Sequence, residues 1–192
     1  MENAKEYRCI RKTKRALAES LTQLAKNKPL NKITVKEVCA QAELSRNAFY
    51  THYPDINGLI EEIEDQTLAR VHEILAEFVD GEFPHNMLVS VQKLLGLLIE
   101  DKDMTLMLFE NSNSTSFLPR LKEILGRFFF GYFRDFNSAG FEKTYGYFYV
   151  FIAEGMIGML RMWLQNPENM SKEMFAYMSY VMIQRLVKID EK

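Results

Sequence analysis

The chain has 192 residues, 24 basic and 26 acidic, with 47% hydrophobic and 12% aromatic side chains, an ordinary globular composition with room for one or two cores. Uninterrupted apolar runs such as residues 94–99 fall short of the ~20 residues that cross a bilayer, and no apolar stretch of signal length follows the basic N-terminus. No membrane partner and a cytoplasmic location are therefore expected. The net charge of −2 hides a split: residues 1–53 carry 11 Lys/Arg against five acids, or +6, which leaves −8 for the rest and makes the first quarter the part suited to a polyanion.

Prolines 29, 54, 84, 119 and 167 punctuate stretches of helical periodicity. The first stretch sets Ile10, Leu17, Leu21 and Leu24 on one stripe, with the basic run 8–15 at its start. Thr34 and Glu37 then have the spacing of a capping box, followed by Val35, Val38, Cys39 and Ala42 at i, i+3, i+4, i+7. Glu43 and Leu44 leave room only for a tight turn before Ser45, a good N-cap, opens a third helix over residues 46–53 that Pro54 closes. Ala48 and Phe49 can face the first two helices, leaving Arg46, Asn47, Tyr50 and Thr51 outward. The DNA major groove admits one helix, Arg matches a guanine edge and Asn an adenine edge, so this hairpin is suited to reading duplex DNA. A helical hairpin inside an all-α core is the plainer alternative, against which the +6 charge weighs.

From Asp55, an expected N-cap, the positions Leu59, Ile63, Thr67, Val71, Ile74 and Phe78 keep one stripe until Asp80-Gly81. That helix starts at the reader and ends in the second region, which makes it the expected mechanical link. Residues 84–100 are apolar on most faces and predict a core helix. A short apolar segment at 104–109, an uncharged polar loop at 111–116, an aromatic helix at 117–136 and a break at 137–140 follow. Met104, Met107, Phe109, Phe128, Phe129, Tyr132 and Phe133 are the candidate walls of a ligand cavity with the polar loop as lid; a packed aromatic core is the competing reading. The last helices, 141–165 and 171–189, carry Tyr149, Ile152, Met156, Met159, Trp163, Met174, Met178 and Met182 as candidate dimer contacts, with Ala153, Gly155 and Gly158 allowing close helix approach. Intramolecular packing of both helices is the alternative there.

The segment KITVKEVCAQAELSRNAFYTHYPD, residues 32–55, preceded by one amphipathic helix, resembles the N-terminal domain of TetR-family transcriptional regulators, most specifically in the run Phe49-Tyr50-x-His52-Tyr53. The segment FIAEGMIGMLRMW, residues 151–163, is similar to a subgroup that includes regulators of dihydroxyacetone-kinase operons. The resemblance implies an all-α protein of about nine helices. Residues 1–54 would form a three-helix DNA-binding domain with its helix-turn-helix at 34–53, and residues 55–192 a helical ligand-sensing and dimerisation domain. It implies phosphate contacts from Thr34, Tyr50 and His52 and base contacts from Arg46 and Asn47, with Lys36, Ser45 and Thr51 completing the DNA-binding set. Two departures stand out. Glu43 occupies the turn position where the family usually has glycine, so a left-handed backbone there implies strain of roughly 1 kcal/mol. Ile56 replaces a lysine at the start of the fourth helix, leaving Lys32, Lys36 or the N-terminal arm to supply that phosphate contact.

The expected function is that of a homodimeric regulator, a repressor, binding a palindromic double-stranded operator under control of a small apolar or amphipathic effector. The alternative is a transcriptional adaptor or coactivator controlled by a protein partner, which an exposed apolar patch without a cavity would favour. No nucleophile-base pair, glycine-rich phosphate loop or ligand-spaced His/Glu set occurs, so no enzyme is expected. Cys9, Cys39 and three scattered histidines provide neither a disulfide framework nor a metal cluster, and no cofactor or metal is expected.

Overall fold

The computed structural model describes residues 2–77, 85–110, 116–134 and 141–187, and the described residues are all-α: nine helices and two short 3-10 turns, with no strand. The helices are α1 (Glu2–Ala25), α2 (Val35–Gln41), α3 (Arg46–Tyr50), α4 (Ile56–Ala76), α5 (His85–Glu100), α6 (Lys102–Glu110), α7 (Phe117–Arg134), α8 (Phe141–Gln165) and α9 (Lys172–Val187). The 3-10 turns are Leu30–Lys32 and Pro167–Asn169. The expected stripe position Phe78, the breaks at Asp80-Gly81 and 137–140, and residues 111–115 of the polar loop lie outside the described residues. Two compact units emerge, Met1–Thr67 with Asp103–Phe117 and Leu68–Lys102 with Leu118–Lys192. One continuous helix, α4, thus contributes residues to both, and α6 from Asp103 onward belongs to the first.

In the first unit α1 packs on α2 and α2 on α3. Leu17 and Leu21 of α1, Val38 and Cys39 of α2, and Phe49 of α3 form the centre, with Leu59, Ile60 and Ile63 of α4. The expected α1 stripe is buried at Leu17 and Leu21, but Ile10 is open to solvent. From α6, Leu108 and Phe109 are buried, and Phe109 lies 5.9 Å from Phe117 between ring centroids. The ion pair Lys26–Asp103 at 2.5 Å and the bond from Ser116 Oγ to the buried Glu64 carboxylate at 2.9 Å tie the 103–117 segment to α1 and α4.

In the second unit the buried face of α4 runs through Leu68, Val71 and Leu75, one residue round the helix from the expected Thr67 and Ile74. Val91, Leu95, Leu97 and Leu98 make α5 the core helix its composition predicts, and it packs on α9. At Gly126 α7 meets the Tyr149 side chain of α8 so closely that an added Cβ would lie 2.9 Å from the ring. The Tyr145 hydroxyl donates to the Gly126 carbonyl at 2.9 Å, and the Tyr149 hydroxyl donates to that of Lys122. Burial pushes the Tyr145 phenol up to about 12, with Tyr149 adding to the shift. Trp163 stacks on Phe175 at 4.8 Å and donates from Nε1 to the Met170 carbonyl at 2.7 Å, closing the bend between α8 and α9.

These contacts change the expected subunit face. Ile152 and Trp163 are each 5% exposed and belong to the core of their own unit, Met156 lines a small apolar cavity, and Tyr149 is turned onto α7. Met159 and Met178 are half-buried. Met174 and Met182 are exposed as expected, on a surface that also displays Tyr147, Val150, Phe151, Met162 and Tyr177. Tyr145, Tyr149 and Trp163 of α8 satisfy their polar atoms on this chain's own backbone. Gly155 and Gly158 are exposed, with open space where a Cβ would stand.

Residues Tyr145–Gln165 of α8 are long and apolar enough to cross a bilayer by length and composition. This corrects the expectation drawn from uninterrupted runs, which Glu154 and Arg161 conceal. Glu154 is ion-paired with Lys122, and Ile152, Ala153, Ile157 and Leu164 are buried within the second unit.

Candidate nucleic-acid interface

The local chemistry around α2 and α3 closes in the way its residues dictate. Thr34 is the N-cap of α2: its Oγ1 accepts from the Glu37 amide at 3.3 Å, and the Glu37 carboxylate accepts from the Thr34 amide at 2.9 Å and from its hydroxyl at 2.7 Å. Lys28 donates to the same carboxylate at 2.7 Å. The Lys28 bond, followed by those from Thr34, holds the Glu37 carboxyl well below the ordinary range, at about 2. The capping residue that the family resemblance assigned to a phosphate contact is thus already fixed in place.

The turn is a complete Schellman closure. The Leu44 amide donates to the Cys39 carbonyl at 2.9 Å and the Glu43 amide to the Ala40 carbonyl at 3.3 Å. Between them Glu43 has φ 55°, the left-handed conformation expected where the family carries glycine. Ser45 then caps α3, accepting from the Ala48 amide at 3.1 Å. The regular helix ends at Tyr50, three residues short of the expected Tyr53, and residues 51 and 52 form a turn. Such a helix is too short to be stable alone and depends on its packed side.

That side is Phe49, fully buried and within 5.6 Å of both Tyr50 and Tyr53 between ring centroids. Arg46, Asn47 and Tyr50 are exposed, Tyr50 by 57%. Lys36 and Ser45 are exposed as well, and so is Thr51, whose hydroxyl turns back to the Asn47 carbonyl at 2.9 Å; His52 is half-buried beside Tyr53. A group invisible to sequence spacing supports the helix from behind. Lys14 pairs with Glu62 at 2.7 Å and stands 5.4 Å over the ring of the buried Tyr53. Burial raises the Tyr53 phenol above its ordinary range, and the Glu62 carboxylate, to which it is hydrogen bonded, raises it further. Cys39 is also buried, which raises its thiol, so it serves the core.

The expected ligand-cavity walls are divided. Met107 and Phe109 are buried and Met104 half-buried in α6 of the first unit, Phe128 is on α7 of the second, and the side chains of Phe129, Tyr132 and Phe133 lie outside the described residues. Within the second unit one cavity of about 100 Å³ is entirely apolar, with Val71, Leu95, Leu98 and Ile157 in its walls. A more open groove of about 420 Å³ runs between α4 and α7.

A capped helix, a Schellman turn and a short second helix that buries one aromatic ring while offering Arg, Asn and Tyr to solvent define a helix-turn-helix regulator. Residues 85–185 match a TetR C-terminal family model, described as a transcriptional regulator C-terminal region. The chain belongs to the TetR family of transcriptional regulators, which are not enzymes. No curated protein matches the sequence. Among solved structures it is similar to a TetR transcriptional regulator from Streptococcus agalactiae 2603V, with a TM-score of 0.66 and 21% identity over 94% of this chain and 98% of that one. The dihydroxyacetone kinase operon activator DhaS gives 0.61 at 17% identity, over 92% and 97% of the two chains. A transcriptional regulator of the TerR/AcrR family from Aquifex aeolicus VF5 gives 0.61 at 19%, over 91% and 99%. At such identities the likeness concerns the fold.

Proposed function

We propose that the chain is a homodimeric repressor that reads a palindromic DNA operator through Thr34, Lys36, Ser45, Arg46, Asn47, Tyr50, Thr51 and His52. In this reading residues 1–54 bind DNA, residues 55–192 sense an effector and dimerise, and the protein acts in the cytoplasm. The carrying observation is the exposure of Arg46, Asn47 and Tyr50 on a short helix anchored from behind by the buried Phe49. The +6 charge of residues 1–53 supports it, since phosphate neutralisation supplies most of the affinity. One reader covers too few base pairs for useful specificity, and two-fold symmetry supplies the second half-site. The exposed apolar residues Val150, Phe151 and Met162 of α8 and Met174, Tyr177 and Met182 of α9, with Gly155 and Gly158 between them, support a face that a second copy covers. A signal travels along α4, which has residues in both units.

Fluorescence anisotropy of the full chain with DNA from upstream of its own coding sequence tests this. We expect salt-sensitive binding with two chains per palindrome, weakened about 5- to 150-fold by Arg46→Ala or Tyr50→Ala, as loss of a base or backbone contact of about 1–3 kcal/mol requires. Tight binding indifferent to both substitutions removes the proposed reader.

A further inference from the structure

We infer that Lys14 is a positioning residue for the reader: it sets the bearing of α3 by bridging Tyr53 to Glu62, and makes no contact of its own with DNA. Its effect on sequence discrimination rests on the DNA-reading proposal; its hold on α3 is open to test without DNA.

Charge alone counts Lys14 among the phosphate contacts, since it is one of the 11 basic residues of the first 53. Its surroundings give it another task. The ammonium lies 3.0 and 2.7 Å from the two carboxylate oxygens of Glu62, and the two side chains are only 33% and 26% exposed. Gln66, four residues on along α4, donates to the same carboxylate at 2.7 Å, so the acid is held from two sides. The ammonium also stands 5.4 Å over the ring of Tyr53, close enough for the ring face to attract it. Glu62 in turn raises the buried Tyr53 phenol, after burial itself, which places all three groups together. The next residue, Arg15, is the contrast: its side chain is 80% exposed and pairs along its own helix with Glu19.

The reader needs such a hold. With five residues, α3 is too short to keep a direction by its own hydrogen bonds. Phe49 buries one ring, but apolar burial is non-directional and fixes a point without fixing an angle. Tyr53 supplies the second point: its amide donates to the Phe49 carbonyl at 3.0 Å, and the two rings lie 5.6 Å apart. Lys14 from α1 and Glu62 from α4 meet at that second point. A tilt about Phe49 shifts Arg46, Asn47 and Tyr50 together, which spoils paired contacts to base edges more than contacts to the phosphate backbone.

Fluorescence anisotropy of the full chain compares DNA from upstream of its own coding sequence with a scrambled duplex of equal length, over a range of salt. A phosphate contact at Lys14 requires Lys14→Met to weaken both duplexes alike and to lower the salt slope by about one. Positioning requires the upstream DNA to bind about fivefold or more weaker, as about one ill-fitting base pair costs, with the scrambled duplex and the salt slope unchanged. Glu62→Gln breaks the same bridge while removing a negative charge, so charge alone predicts tighter binding and positioning predicts the same weakening on the upstream DNA. Equal loss on both duplexes, a lower salt slope, or opposite effects of the two variants on the upstream DNA overturns the role. A parent chain with no preference for the upstream DNA removes the operator reading, and amide hydrogen exchange of the free chain then decides. The amides of residues 51–53, which donate to the Asn47 and Phe49 carbonyls, should exchange about fivefold or more faster in both variants, with those of α9 unchanged. Unaltered exchange at residues 51–53 overturns the hold on α3.

Discussion

The α2–α3 hairpin of the first unit is set by polar bonds that are short in sequence, whereas the second unit is joined by contacts between helices distant in sequence. Around α2 and α3 the fixing bonds join Thr34 to Glu37, Cys39 to Leu44 and Ser45 to Ala48, none more than five residues apart. In the second unit Gly126 meets Tyr149, Trp163 meets Phe175, and α5 meets α9. The contrast suits the tasks: a small reader must present a few side chains in a set direction, whereas a larger helical body must enclose volume.

Three substitutions sharpen that contrast, the largest effect first. Trp163→Ala removes a buried ring and its bond to the Met170 carbonyl, so denaturant unfolding should show a loss of about 3–5 kcal/mol. A small loss would mean that the bend between α8 and α9 is held elsewhere. Gly126→Ala drives a methyl group to 2.9 Å from the Tyr149 ring, and the same measurement should show a loss of about 1–3 kcal/mol. No loss would show that the α7–α8 approach is looser than described. Glu43→Gly relieves a left-handed φ of 55° and should raise the melting midpoint through a gain of about 1 kcal/mol, with DNA affinity retained. Destabilisation instead would indicate that the Glu43 side chain contributes more than its backbone strain costs.

The same contrast explains what the sequence could convey. The capping box at Thr34, the cap at Ser45, the Asp55 side chain accepting from the Gly58 amide at 3.0 Å and the inward turn of Phe49 were all legible, because each depends on residues within a few positions. The strained turn at Glu43 was legible through the family resemblance. Helix placement followed largely from periodicity, although Pro119, read as punctuation, lies in the first turn of α7. The turn of Tyr145 and Tyr149 onto α7 was not legible, since the carbonyls that receive them lie 19 and 27 residues away. Nor could spacing reveal Lys14, Tyr53 and Glu62 as a group, or Ser116 on Glu64, partners 48 and 52 residues apart for the bonded pairs.

The turn at Glu43 has a wider consequence. Its direction is written in main-chain bonds from Leu44 to Cys39 and from Glu43 to Ala40, so the bearing of α3 does not depend on which side chain occupies the corner. A lineage can therefore discard the glycine by which such corners are usually spotted and still inherit the same reader. Surveys keyed to that glycine will overlook chains of this kind, while ones keyed to the flanking threonine, glutamate and serine will find them.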